Sequence, residues 1–166
     1  MNMTVVLANR QRTKKINLRL LKQIVKALLA DLEIAKAELE INLVGALEIT
    51  RLNEKFLHHK GPTDVIAFDY HTEGRAGSPL PAARFGALRR ARPTLHGEIF
   101  ICVDEAVSQA QKFGVGWQSE VARYVVHGVL HLLGHNDLRA SARRKMKREE
   151  NRLLRKLCRR FALSKL

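Results

Sequence analysis

The apolar run from Val121 to Leu133 sets the terms for the rest of this chain. Val121, Tyr124, Val125, Val126, Val129, Leu130, Leu132 and Leu133 recur with the spacing of a buried helix, and His127 and His131 stand four residues apart on it. Side chains at i and i+4 share a face one turn apart, so both imidazoles point the same way. A pair in this register can hold one transition metal ion, because neutral imidazole is a good zinc ligand and the helix fixes the ring separation in advance. Gly134 follows three residues later, where a left-handed residue ends a helix and turns the chain back. Asp137 or His135 then reaches the same ion.

Two histidines on an apolar face can also be hydrogen-bonded core residues. Here a glycine and a third ligand type follow at the right spacing, which favours a metal site. The pattern H-x-x-x-H-x-x-G-x-x-D is the skeleton of the metzincin ligand set without its glutamate. Gly128 occupies the place of the general base in H-E-x-x-H, so the usual zinc-protease mechanism has no base in this chain.

Three collinear blocks carry a more specific likeness: LNEKFLHHKGPTDVIAF (Leu52 to Phe68), GEIFICVDEA (Gly97 to Ala106) and HGVLHLLG (His127 to Gly134). They are spread over about half the chain, from Leu52 to Gly134, and together they resemble the YbeY family of bacterial rRNA-maturation endoribonucleases, formerly grouped with predicted metalloproteases. The resemblance implies three histidine ligands, the third placed three residues beyond the glycine; in this sequence that position is Asp137. Aspartate is a legitimate zinc ligand, and its charge makes the ion less Lewis-acidic and shifts preference slightly towards harder metals. His135 is the rival third ligand. The resemblance also implies an RNA-binding arginine just after the LNxxF block, where this chain has Leu57, with His58, His59 or Lys60 at hand to substitute. Asn53, Thr63 and Asp64 match the block and read as capping and turn residues.

Charge narrows the partner. A formal net charge of +14 and a pI near 10.5 on 166 residues attract polyanions and steer the protein towards them, though charge alone does not choose among RNA, DNA and an anionic membrane. The apolar runs are broken by charge well short of the ~18 residues that a membrane span needs, and the first fifteen residues lack the order of a secretory signal. The expectation is a cytoplasmic protein forming one domain over 1–166. Cys102 and Cys158 have no local metal spacing and form no disulfide framework, so buried packing roles are expected for both.

Periodicity supplies the remaining elements. Residues 3–8 suit a strand, and Ile16, Leu20, Leu21, Ile24, Val25, Leu28, Leu29 and Leu32 an amphipathic helix with Asn17 as its cap. Ala37, Leu39, Ile41 and Leu43 alternate with Glu38, Glu40 and Asn42, the period of a strand with one wet face. Leu47, Ile49, Leu52 and Phe56 begin a short helix. Strands follow at TDVIAFDY and at Gly97–Val103, and Asp104 is expected to cap a helix running to Phe113. Residues 73–94, rich in proline, glycine and arginine, read as a basic loop that is either a solvated linker or an RNA contact. From about Arg139 to the end runs a basic helix with Met146, Leu153, Leu154, Leu157 and Phe161 inward and a row of Lys and Arg outward. The fold class is therefore α+β: one mixed sheet of about four strands packed with about five helices.

The resemblance implies a single-strand-specific, metal-dependent endoribonuclease acting in rRNA maturation, at the 3′ end of the small-subunit rRNA, and in ribosome quality control. The expected catalytic residues are His127 and His131. The expected cofactor is one zinc ion or another divalent metal, and the expected partners are rRNA and the small ribosomal subunit. Arg143, Arg144 and Lys147, with His58, His59 and Lys60, are candidate RNA contacts, since like charges at helical spacing repel and a phosphate backbone relieves that repulsion. The competing readings are a zinc-dependent protease and a non-catalytic ribosome-associated RNA-binding factor with a structural metal.

Overall fold

The computed structural model describes residues 2–70 and 93–166. Four strands, β1 (Asn2–Asn9), β2 (Lys36–Val44), β3 (Val65–Asp69) and β4 (Thr94–Cys102), form one sheet in the order β1-β2-β4-β3. The first three neighbours run parallel and β3 runs antiparallel to β4, so the sheet is mixed. The helices are α1 (Leu18–Asp31), α2 (Ala46–Leu52), α3 (Val103–Phe113), α4 (Trp117–Leu132) and α5 (Ala140–Arg160). A π-helical turn (Asn53–Leu57) continues α2, and a 3-10 turn (Leu163–Lys165) follows α5. This is the expected α+β architecture. No helix among the described residues is long and apolar enough to cross a membrane.

Local chemistry explains most element boundaries. Asn17 caps α1 by accepting the Leu20 N–H at 3.0 Å, and Gly114 ends α3 in the left-handed conformation at φ +65°. Four expectations need correction. The cap of α3 is Cys102, whose sulfur accepts the Glu105 N–H at 3.4 Å, while Asp104 reaches across to the Ala46 N–H at 2.6 Å and to the Thr13 hydroxyl. β4 begins at Thr94 rather than Gly97 because its pairing with β2 extends to Lys36. Asn42 is fully buried rather than wet, with its amide donating to Glu98 Oε1 at 2.8 Å. Finally, α5 stops at Arg160; the chain then turns, and Leu163 and Leu166 enter the core.

Cys102 is buried and Cys158 is exposed; the polar outer face of α5 carries Cys158 outward, against the expectation that both would be packed. Of the basic stretch 73–94, residues 73–92 lie outside the described residues.

What positions the site is the tight seating of α4 on β3 and β4. A Cβ added to Gly128 would lie 2.7 Å from Ile99 Cγ2, and one added to Gly97 only 2.6 Å from the Phe68 carbonyl oxygen. Both approaches are closer than packed atoms tolerate, so these two glycines let the helix lie flat on the sheet. Val121, Val125, Val129 and Leu130 are fully buried there. The same contact explains why position 128 carries no glutamate: its side-chain direction runs into the sheet, not into a cleft. On the other sheet face Phe56, Phe68 and Phe100 meet edge to face, at centroid distances of 5.3 and 5.9 Å, and hold α2 and the π-helical turn over the ends of β3 and β4.

Candidate metal centre

Helix α4 delivers His127 and His131 side by side, their Nε2 atoms 3.0 Å apart. The chain then reverses at Gly134, whose φ of +84° is the left-handed value expected there, and returns Asp137 to the same place. Ligand atoms of His127, His131 and Asp137 all lie within 4.8 Å of one another, so the three together could hold a metal ion. His135, the rival, contributes its backbone instead: its carbonyl oxygen accepts His131 Nδ1 at 3.0 Å. The His135 ring lies over α5, where burial and the nearby Lys145 cation lower its pKa.

The second imidazole nitrogens are fixed by acceptors. His127 Nδ1 lies 3.0 Å from Glu150 Oε2, and Glu150 on α5 is 3% exposed. Burial would push this carboxyl up, but hydrogen bonds from His127, Lys147 and Arg123 hold it down to about 2, so it is a carboxylate that can only accept. The carbonyl of His135 can likewise only accept. Both Nδ1 atoms must therefore donate, and each Nε2 turns a lone pair towards the other across 3.0 Å. Such a pair is stable only with a cation between, either a proton or a metal ion. The basicities agree: burial pulls His127 down, yet the Glu150 hydrogen bond and the Asp64, Glu150 and Asp137 charges leave its pKa raised. Burial and the neighbouring His127 lower that of His131. A carboxylate or carbonyl accepting from the far nitrogen is what usually orients a metal-bound histidine.

His127, Asp137 and Glu150 line a cleft of about 430 Å³ together with Asp64, Glu120, Arg123, Tyr124, Arg143 and Lys147. Arg123 is spent internally on Glu150 at 2.7 Å, Asn151 at 3.0 Å and Glu120 at 3.4 Å. Lys147 also reaches Glu150, at 2.8 Å. Arg143 braces the ligand loop, its Nε donating to the Asp137 carbonyl at 3.0 Å. Arg144 lies on the outer side of α5 among Ser141, Lys147, Arg148 and Asn151. His58, His59 and Lys60 are exposed beyond the π-helical turn and do not line the cleft.

Sequence reading missed Glu150 and Asp64 as members of the site. Glu150 stands 23 residues from His127 in a run of cations, and only its acidity in that setting marks it. Asp64 does act as a turn residue, its Oδ1 accepting the Val65 N–H at 2.9 Å and the Thr63 hydroxyl at 3.1 Å. It also faces the cleft and acts on His127 through its charge. Asn53 is the structural residue expected, its amide donating to the Gly61 carbonyl at 2.8 Å.

The family described as endoribonuclease YbeY matches residues 6–158. An endoribonuclease YbeY from Geobacter metallireducens is 33% identical over 86% of this chain and 88% of its own length. The one from Elusimicrobium minutum is 34% identical over 80% and 83%. The solution structure of TM1509 from Thermotoga maritima superposes with a TM-score of 0.58 at 21% identity, covering 93% of this chain and 89% of that one; this likeness speaks for the fold. With a match over nearly the whole length and relatives above 30% identity, the chain belongs to the YbeY family.

Proposed function

We propose that this protein is a metal-dependent endoribonuclease that cuts single-stranded rRNA in the cytoplasm. On this reading it matures the 3′ end of the small-subunit rRNA and serves ribosome quality control, with the small ribosomal subunit as its partner. Family membership supports the endoribonuclease activity. One observation carries the metal dependence: two imidazole lone pairs, locked by acceptors behind them, converge at 3.0 Å beside a carboxylate. A donor set of two imidazoles and one carboxylate suits zinc and leaves a coordination position open.

A zinc ion held by His127, His131 and Asp137 would acidify a bound water, to a pKa of ~7, and would polarise a phosphoryl oxygen. The chain's own residues do the rest. Glu150 and the His135 carbonyl hold the rings in the ligating tautomer. Arg143 and Lys147 present cations on the cleft wall where the phosphate backbone enters. Asp64, a carboxylate lining the cleft, is the proton acceptor that the chain would offer in place of the glutamate missing at Gly128.

Purified protein incubated with single-stranded rRNA is expected to cut it, and to stop when chelator is added or when His127→Ala or His131→Ala is introduced. Cleavage surviving both treatments overturns the metal mechanism. Leu57, standing where the family likeness implies an arginine, favours a second reading: a non-catalytic RNA-binding factor with a structural metal. Salt-sensitive RNA binding that is never accompanied by strand scission would select it. A protease is disfavoured by the packing at Gly128, and casein turnover by the zinc-loaded protein would revive it.

A further inference from the structure

The candidate metal ligands border two hollows, of which the second is the more apolar. One is the charged cleft described above; the other is a hollow of about 310 Å³ lined mainly by Leu57, Val65, Ile66, Leu132 and Leu138, with His131, His135 and Asn136 as its polar members. Asp137 borders both hollows. Leu138 is 80% exposed at the rim, a large apolar side chain left in water immediately beside a ligand residue.

We propose that this apolar hollow takes one unpaired nucleobase of the RNA, next to the scissile phosphate; the inference rests on the nuclease reading above. A nucleotide joins an anionic phosphate to a flat, largely apolar base, and the protein offers cation-bearing and apolar surfaces beside the candidate ion. Unstacked bases of single-stranded RNA are held in this way, between apolar side chains with a few polar groups reading the base edge. A base still paired in a duplex cannot enter. The hollow therefore gives a physical cause for acting on single strands.

The polar groups come from the edge of β3 that faces away from β4, which pairs with no strand among the described residues. In the antiparallel pair, the Asp64 carbonyl accepts Cys102 N–H at 2.9 Å and Tyr70 N–H donates to the His96 carbonyl at 2.8 Å. Alternation along the strand then turns the Ala67 N–H and C=O away from β4, towards the hollow that Ala67 lines. A donor beside an acceptor on one residue matches the edge of a base. It falls short of what an added peptide strand needs, because that mode uses a ladder of outward groups and the neighbouring Val65 N–H is already bound to Asp64 Oδ1.

The test uses single-stranded RNA oligonucleotides carrying one abasic nucleotide at successive positions around the cut, with the zinc-loaded full chain. At one position next to the cut, loss of the base should lower kcat/KM about tenfold, the order that burying one side-chain-sized apolar group contributes. In Leu138→Asp and Leu57→Ser that position should become indifferent, with native and abasic RNA cut alike. Equal cleavage of native and abasic RNA by the unaltered protein overturns the base pocket while leaving the nuclease reading intact, and so does an abasic penalty that persists in both variants. If no RNA is cut, the nuclease reading fails, and the pocket is judged by binding alone. A 2-aminopurine placed at that position should then change fluorescence on binding, and the change should vanish in Leu138→Asp. Fluorescence unaffected by the substitution, or displacement of the RNA by an unstructured peptide, contradicts the proposal.

Discussion

The two faces of α5 obey opposite rules. On the inner face, Glu150 is buried and met by three donors, His127, Arg123 and Lys147, at 2.7 to 3.0 Å. On the outer face, Arg144, Lys145, Arg148, Arg155, Lys156 and Arg159 are exposed, and among the described residues none of them has an ion pair. Only Arg152, with Glu149, and Arg160, with Asp31, are compensated on that side. A buried carboxylate must be paired because desolvation is costly. An exposed cation need not be, so its placement reflects what the surface meets rather than what the fold requires. The inner face belongs to the site's architecture, and the outer one is free to meet the anionic partner proposed above.

The largest separation between the faces should come from Glu150→Ala. It leaves Arg123 and Lys147 without their carboxylate and frees the His127 ring, so unfolding experiments should show a loss of about 3 to 5 kcal/mol. Zinc affinity in the same variant should fall about 10- to 100-fold. A stable variant with unchanged metal affinity would erase the distinction between the faces.

Acid should act on the inner face next. The Glu150 carboxyl is depressed from about 4.5 to about 2 in the fold, so its contribution is fully present above pH 4.5 and is lost as pH falls towards 2. That shift corresponds to about 3 kcal/mol. Chemical denaturation across this window should show the loss in the unaltered protein and a flattened profile in Glu150→Gln. Equal acid sensitivity in both would assign the effect to another group.

The smallest effect on stability is expected outside. Arg144→Gln, Arg148→Gln, Arg155→Gln and Arg159→Gln should each shift unfolding by less than about 0.5 kcal/mol. Combined, they should flatten the salt dependence of single-stranded RNA binding by roughly 0.7 in log–log slope for each phosphate that is no longer neutralised. Destabilisation together with an unchanged salt slope would make the outer cations structural.

The contrast also shows what the sequence could and could not disclose. His127, His131, Gly134 and Asp137 were legible because one helical turn and one left-handed glycine fix their relation locally. Glu150 was not, since its partnership with His127 depends on how two helices cross, and one of two adjacent acids among cations looks like a solvated pair. The choice between Asp137 and His135 turned on a backbone carbonyl, which no side-chain pattern reports. Among the elements, alternation located β2 but placed Asn42 on a wet face, because the reach of Glu98 from the next strand lies outside a one-strand period. Asp104 was read as a local cap although its partners, Ala46 and Thr13, lie far away in sequence.

The most direct test is elemental analysis of the purified protein, with anomalous scattering from its crystals to locate the ion. One zinc per chain, bound by His127 Nε2, His131 Nε2 and an Asp137 oxygen, and lost in His131→Ala, is the predicted result. A zinc-saturated protein with no ion between those groups, or with the ion on His135, would contradict the account.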